Sequence, residues 1–146
     1  MNRPAVRYPL VLVAFSAVTI LWLLPLVAHL GSSVSNEASD ATSGARDYWA
    51  AERQGATPFT LDHDRLMDAP EGTDVSAAVQ IANGIQPAFV LVAKELVGFV
   101  AALNLYMLLG FVLSGFLMFV LLDRLGLHVL ASAFGGYVYA LSLIHI

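Results

Sequence analysis

Residues 99–122 read FVAALNLYMLLGFVLSGFLMFVLL, twenty-four positions without a charged side chain. About 20 apolar residues cross a bilayer as a helix, so this stretch is long enough and reads as a transmembrane helix. On its C-terminal side, Asp123 to Leu127 forms a short polar turn, and His128 to Ile146 makes a further apolar block of nineteen residues. On its N-terminal side, Gly98 separates it from an apolar piece of eleven residues, Pro87 to Val97, that carries Lys94 and Glu95. Eleven residues cannot cross, so segment 85–98 reads as interfacial or re-entrant. Lys94 and Glu95 are adjacent, point about 100° apart on a helix, and need not pair with each other.

A third apolar block lies near the N-terminus, where Tyr8 to Leu30 runs twenty-three residues without Asp, Glu, Lys or Arg. Arg3 and Arg7 precede it, as basic residues precede a secretory signal. A signal core is usually only about 7–15 residues long, and no convincing small-x-small cleavage site follows, so a retained helix is the better reading. Pro25 should kink this helix near its outer end, and Trp22 suits an interfacial level.

Composition agrees. Hydrophobic residues make up 58% of the 146 and charged residues 12%, against about 25% charge in an ordinary soluble domain. Mean hydropathy is +0.74. Cysteine is absent, which removes disulfides, Cys-based zinc sites and thiol chemistry. Seven basic and eleven acidic residues give a net charge of −4, so no basic patch exists to meet nucleic acid. The partner this composition demands is the lipid bilayer.

The expected fold is therefore an all-α integral membrane protein, with three transmembrane helices and a large helical extracytoplasmic loop between the first and second. Arg3, Arg7 and Arg124 lie on one side by the positive-inside rule. That gives a cytoplasmic N-terminus at 1–7, a first span at 8–30, an outer loop at 31–84, the interfacial segment at 85–98, a second span at 99–122, a cytoplasmic turn at 123–127 and a third span at 128–146. The outer loop holds nine carboxylates and three arginines. Within the spans, Gly110, Ser114, Gly115, Gly135 and Gly136 let helix backbones approach closely. Asn104 would be costly facing lipid, and a hydrogen bond to a neighbouring helix is its simplest role.

Any chemistry must lie in the outer loop. Asp40 to Gln54 reads as a helix with Ser39 or Asp40 as cap and Gly55 as its end. Asp40, Gly44 and Asp47 share one face, with the two carboxylates about 10 Å apart along the axis. Arg46, Trp49 and Arg53 share another; the bland alternative is an N-cap followed by a solvated face. Thr57-Pro58-Phe59-Thr60 reads as extended. In Asp62-His63-Asp64, a strand would point both carboxylates one way and His63 the other. Asp62 and Asp64 could then hold a hard divalent cation such as Mg or Mn, against the plainer reading of a hydrated acidic turn. Pro70-Glu71-Gly72-Thr73-Asp74 reads as a turn into a further helix, capped by Thr73 or Asp74, with Val75, Ala78, Val79 and Ala82 on an apolar face at the interface. No P-loop, G-x-G-x-x-G, G-x-S-x-G or H-E-x-x-H occurs.

The order of these features resembles the N-terminal part of bacterial polytopic GT-C-type membrane glycosyltransferases and their uncharacterised relatives. The pieces are an N-terminal span, an outer loop with an early aspartate, Ala50-Ala51-Glu52-Arg53-Gln54-Gly55-Ala56-Thr57-Pro58-Phe59-Thr60, then Ala69-Pro70-Glu71-Gly72-Thr73-Asp74, a span containing Asn104-Leu105, and the run Gly135-Gly136-Tyr137-Val138-Tyr139-Ala140-Leu141-Ser142. The resemblance covers residues 8–142 and implies an enzyme of the bacterial inner membrane. Such an enzyme takes a sugar from a polyprenyl-phosphate carrier on the outer face, with an acid of the first outer loop as general base. Asp40 matches that acid and Asp47 is the reserve. Arg46 and Arg53 as phosphate contacts come from spacing alone and not from the resemblance. Two other classes stand beside it: a transporter or flippase for lipid-linked saccharides, in which Lys94 and Glu95 would line a pathway, and a small three-span structural subunit. Leu-Ser-Leu-Ile-His-Ile at 141–146 resembles a translated sequencing-adapter tail. The third span is accordingly expected to be truncated, His145 to have no role, the fragment alone to be inactive, and the remaining helices of a longer chain to be its partners.

Overall fold

A computed structural model describes residues 4–33, 48–57, 59–66, 70–74 and 85–142. The protein is mostly helical. In chain order it has α1 (Pro4–Trp22), α2 (Leu24–Ala28), a helical segment at 48–53, β1 (His63–Asp64), β2 (Thr73–Asp74), α3 (Ile85–Val97), α4 (Phe99–Arg124) and α5 (Val129–Ser142). The chain divides into two compact units, Met1–His29 with Leu105–Ile146, and Leu30–Asn104. Among the described residues, α4 alone is long and apolar enough to cross a membrane; α5 and the apolar part of α1 are shorter.

In the first unit the N-terminal block is two helices rather than one. Pro25 has no N–H to donate, and the chain breaks at Leu23 just before it. The ladder is carried to the break by the Leu23 amide on the Thr19 carbonyl and resumes with the Val27 amide on the Leu23 carbonyl, both at 2.9 Å. The kink expected at Pro25 is thus a full interruption one turn after Thr19.

The unit is held together where its helices come closest. A Cβ added at Gly136 would lie 2.5 Å from the Gly115 carbonyl oxygen and 2.9 Å from the Phe15 ring; one added at Gly115 would lie 2.9 Å from the same ring. Phe15 of α1 therefore sits over a glycine–glycine contact between α4 and α5, with the buried Phe119 and Ala140 beside it. Only residues without a side chain permit that approach. Gly110, by contrast, faces open space, and the Ser114 hydroxyl donates back to the Phe111 carbonyl of its own helix at 3.1 Å.

At the end of the unit where α1 starts and α4 finishes, Arg7 pairs with Asp123, and the Tyr8 hydroxyl donates to the same carboxylate at 3.0 Å. The Tyr8 ring meets Phe119 edge-on, with centroids 6.2 Å apart. Arg7, expected only as a topological flank, thus also ties the two helices together. α4 then stops at Gly126, which takes φ +87. The Leu127 amide reaches the Leu122 carbonyl and the Gly126 amide the Asp123 carbonyl, the paired bonds of a Schellman cap.

The second unit is organised around α3 and the first turns of α4. Gly98, at φ +84, is the single residue between the two helices. Its amide still reaches the Lys94 carbonyl and its own carbonyl accepts from Ala102, so one left-handed residue redirects the chain with both of its own backbone groups paired. Val90, Ala102 and Leu103 form a core with Tyr48, and Phe89, Leu91, Ala93 and Phe99 pack against it. Asn104 is buried and donates from Nδ2 to the Leu30 carbonyl at 2.7 Å and the Ser33 carbonyl at 2.8 Å. Its partners are thus backbone carbonyls of the chain after α2 rather than a neighbouring helix.

Two segments differ from expectation. Thr57 to Thr60 is a turn, not extended: the Thr60 amide bonds the Thr57 carbonyl at 3.0 Å and the two hydroxyls lie 3.0 Å apart. A proline after the first residue suits a turn as well as an extended strand. Thr73 and Asp74 are not a helix cap but β2, paired antiparallel with β1 in the register His63↔Asp74 and Asp64↔Thr73. The expected helix beyond Asp74 and the apolar positions Val75, Ala78, Val79 and Ala82 lie outside the described residues.

The glycine contact makes a direct prediction. Gly136→Val should lower unfolding stability in detergent micelles by about 1–3 kcal/mol, the usual cost of overpacking. Gly110→Ala, into open space on a helix, should raise it by up to about 1 kcal/mol. Denaturant titration followed by circular dichroism reads both.

Candidate functional site

The helical segment 48–53 has two faces set by its own periodicity. Tyr48 and Glu52 are four residues apart and share one; Trp49 and Arg53 share the other. The segment ends at Gly55 with φ +70, where the Ala56 amide bonds the Ala51 carbonyl at 2.9 Å and the Gly55 amide the Glu52 carbonyl at 3.1 Å. Gly55 was expected as the end of this helix; the rest of the helix expected from Asp40 lies outside the described residues.

The Tyr48/Glu52 face is turned to α3. Tyr48 is buried, with its ring centroid 5.1 Å from that of Phe99. Lys94 Nζ lies 2.8 Å from Glu52 Oε1 and 5.4 Å from the centre of the Tyr48 ring. Its approach to Glu95 is looser, at 3.9 Å. The hydrogen bond to the Glu52 carboxylate holds the Lys94 ammonium above its ordinary pKa of 10.5, against the smaller opposing effect of its partial burial. Sequence spacing could not find this pair, because its partners are 42 positions apart.

The Trp49/Arg53 face is exposed. The Arg53 guanidinium lies over the Trp49 ring, 4.8 Å from its centre, a cation–π arrangement that keeps the charge while restricting its motion. Among the described residues Arg53 pairs with no carboxylate. Asp40, Arg46 and Asp47 lie outside the described residues.

Asp62 and Asp64 do not act as a pair. Asp62 is exposed in a bend before β1, while Asp64 is 1% exposed. Asp64 Oδ1 accepts from Gln54 Nε2 at 2.9 Å and from the Leu66 amide at 2.8 Å, and Gln54 Oε1 accepts from the Arg65 amide at 3.0 Å. Asp64 is thus the knot that ties the loop after β1 to the end of segment 48–53. One Asp64 oxygen already accepts two hydrogen bonds, and among the described residues no group of three or more His, Cys, Asp or Glu side chains converges. His63 between them is used by the hairpin. Its Nδ1 is 2.7 Å from Asp74 Oδ1 and its Nε2 3.2 Å from the Glu71 carbonyl. Its ring lies so close to Gly72, at φ +78, that a Cβ there would be 2.4 Å from Nε2.

No protein family, curated protein or solved structure matches the chain. The site offers an exposed arginine braced on tryptophan, carried on the helical segment 48–53 that a lysine–glutamate pair clamps to α3.

Lys94 is the only lysine in the sequence, so its titration can be followed without ambiguity. In protein labelled with 13C-lysine, the ε-carbon should titrate above 10.5, and Glu52→Gln should bring the midpoint down. Because the folded-state value is raised, the stability this pair contributes is full below 10.5 and disappears as pH climbs through the folded value. Unfolding midpoints should follow that course in the wild type and lose it in Glu52→Gln.

Proposed function

We propose that this chain belongs to a polytopic GT-C-type membrane glycosyltransferase of the bacterial inner membrane, which moves a sugar from a polyprenyl-phosphate donor to a cell-envelope acceptor on the outer face. In this reading α1, α4 and α5 mark the three spans, the N-terminus is cytoplasmic, and residues 31–84 are extracytoplasmic. The membrane part is supported by α4, which is apolar on every side, and by the exposed Leu10, Val13 and Leu21 of α1 and Leu130 and Phe134 of α5. Apolar surface on that scale needs hydrocarbon or further helices around it.

The observation that carries the transferase reading is Arg53 on Trp49. A polyprenyl-phosphate sugar already has a good leaving group, so the protein has two tasks. One is to remove a proton from the acceptor hydroxyl, which a single carboxylate can do. The other is to stabilise the phosphate as its bond to the sugar breaks, which an arginine fork does by two parallel hydrogen bonds. As Asp40 takes the hydroxyl proton, the acceptor oxygen forms its bond to the anomeric carbon. The carbon–oxygen bond to phosphate breaks, and its electron pair leaves on the phosphate oxygen. Asp47 is the reserve base, and Arg46 joins Arg53 on the phosphate. The competing transporter reading needs Lys94 and Glu95 on a pathway; Lys94 is instead engaged by Glu52, which favours the transferase.

In a full-length active protein, Asp40→Asn should lower transfer by about 10²–10⁴-fold, the range for loss of a general base, with the folded state retained by circular dichroism. Transfer at the wild-type rate would remove Asp40 from this role.

A further inference from the structure

Helix α3 has an apolar face that none of the described residues of its unit covers. Ile85, Val92 and Leu96 are spaced seven and four residues apart, one stripe along the helix, and their exposures are 79%, 72% and 84%. The opposite side is fully used. Val90 is buried against Tyr48, Ala102 and Leu103, and Lys94, nine residues after Ile85 and so about 180° around the helix, is bonded to Glu52. An amphipathic helix of a water-soluble unit would turn its aliphatic stripe inward; this one packs one side on segment 48–53 and presents the other outward.

The length of α4 decides what lies against that stripe. Its 26 residues extend about 39 Å at 1.5 Å per residue, about 9 Å more than the hydrocarbon thickness of about 30 Å. Leu103 to Leu122, the last twenty residues before the charged Asp123 and Arg124, match the hydrocarbon, which leaves the turn from Phe99 to Ala102 in the interfacial layer. Gly98 then starts α3 at that level. Re-entry of α3 into the core would carry Lys94 and Glu52 into hydrocarbon, at a cost of several kcal/mol.

The geometry points to α3 lying flat on the outer leaflet, its Ile85–Val92–Leu96 stripe in the lipid and segment 48–53 clamped on its water side. This inference rests on the membrane reading of α4. It also has a consequence for the site: the segment that carries Trp49 and Arg53 is fastened to the lipid-facing helix through Lys94 and Glu52, which puts that arginine beside the headgroup layer, where a lipid-borne phosphate would be found.

The chain has no native cysteine, so single-cysteine variants can be spin-labelled directly. The experiment places a label in turn at Ile85, Val92, Leu96, Arg53 and Leu117 of the whole protein in phosphatidylethanolamine–phosphatidylglycerol vesicles, and compares collision with oxygen and with a water-soluble nickel chelate. Oxygen should dominate severalfold at 85, 92 and 96, as at 117 in the middle of α4, while the chelate dominates at 53. Chelate access at 85, 92 and 96 with label 117 still in lipid would overturn the inference and leave the spanning helix standing. Labels at these three positions shielded from both reagents would overturn it in favour of a covering protein. Chelate access at 117 would overturn the membrane reading and the inference together.

Discussion

Helix α4 is the constraint to which the rest of the chain answers. Fifteen of its residues are Leu, Phe or Val, each favouring the centre of a membrane helix by about 0.3–0.6 kcal/mol. Its backbone satisfies itself through the helical ladder, the only arrangement besides a closed barrel that hydrocarbon tolerates. Three polar groups along it have identified partners. Ser114 bonds its own helix, Asp123 meets Arg7 and Tyr8, and Asn104 takes two backbone carbonyls. Within each unit the other elements attach to this helix at defined points. In the first unit the attachment is the Phe15–Gly115–Gly136 contact and the Arg7–Asp123 pair; in the second it is the Tyr48–Phe99 contact and the Asn104 bonds.

The second unit converts that attachment into a positioned surface. Gly98 redirects the chain in one residue, α3 follows, and Lys94 reaches across to Glu52. A partly exposed ion pair by itself contributes little to stability. Its value here is geometric: it orients the helical segment at 48–53, assisted by the buried Tyr48 ring. Gln54 and Asp64 fasten the following loop to the same segment. Trp49 and Arg53 are left facing outward on a mount fastened from two sides, which is what a phosphate contact requires.

Much of the helical fold was legible in the sequence because its punctuation is glycine. Gly55, Gly98 and Gly126 all adopt positive φ, a conformation whose steric cost glycine alone escapes, so the boundaries they set could be read without tertiary information. The close approach of small residues was legible as a class but not as a pair. That Gly115 meets Gly136 while Gly110 faces open space depends on where the Phe15 ring settles. The hairpin was not legible: a threonine–aspartate pair after Pro-Glu-Gly is as good a helix cap as a strand, and two-residue strands carry no periodicity. Asp62 and Asp64 looked equivalent in sequence and are not, because burial of Asp64 follows from the Gln54 side chain ten positions away. Lys94 was conspicuous as a charge in an apolar segment, but its partner belongs to a helix far away in the chain.

The claim on which the functional account stands is that the loop bearing Arg53 faces outward from the cell while the turn after α4 faces inward. Single cysteines at Thr60 and at Leu125, expressed in bacteria and treated with a membrane-impermeant maleimide, test it most directly. The account predicts that Thr60→Cys is labelled in intact cells and Leu125→Cys only after the membrane is opened. Labelling of both in intact cells, or of Leu125→Cys alone, would contradict it.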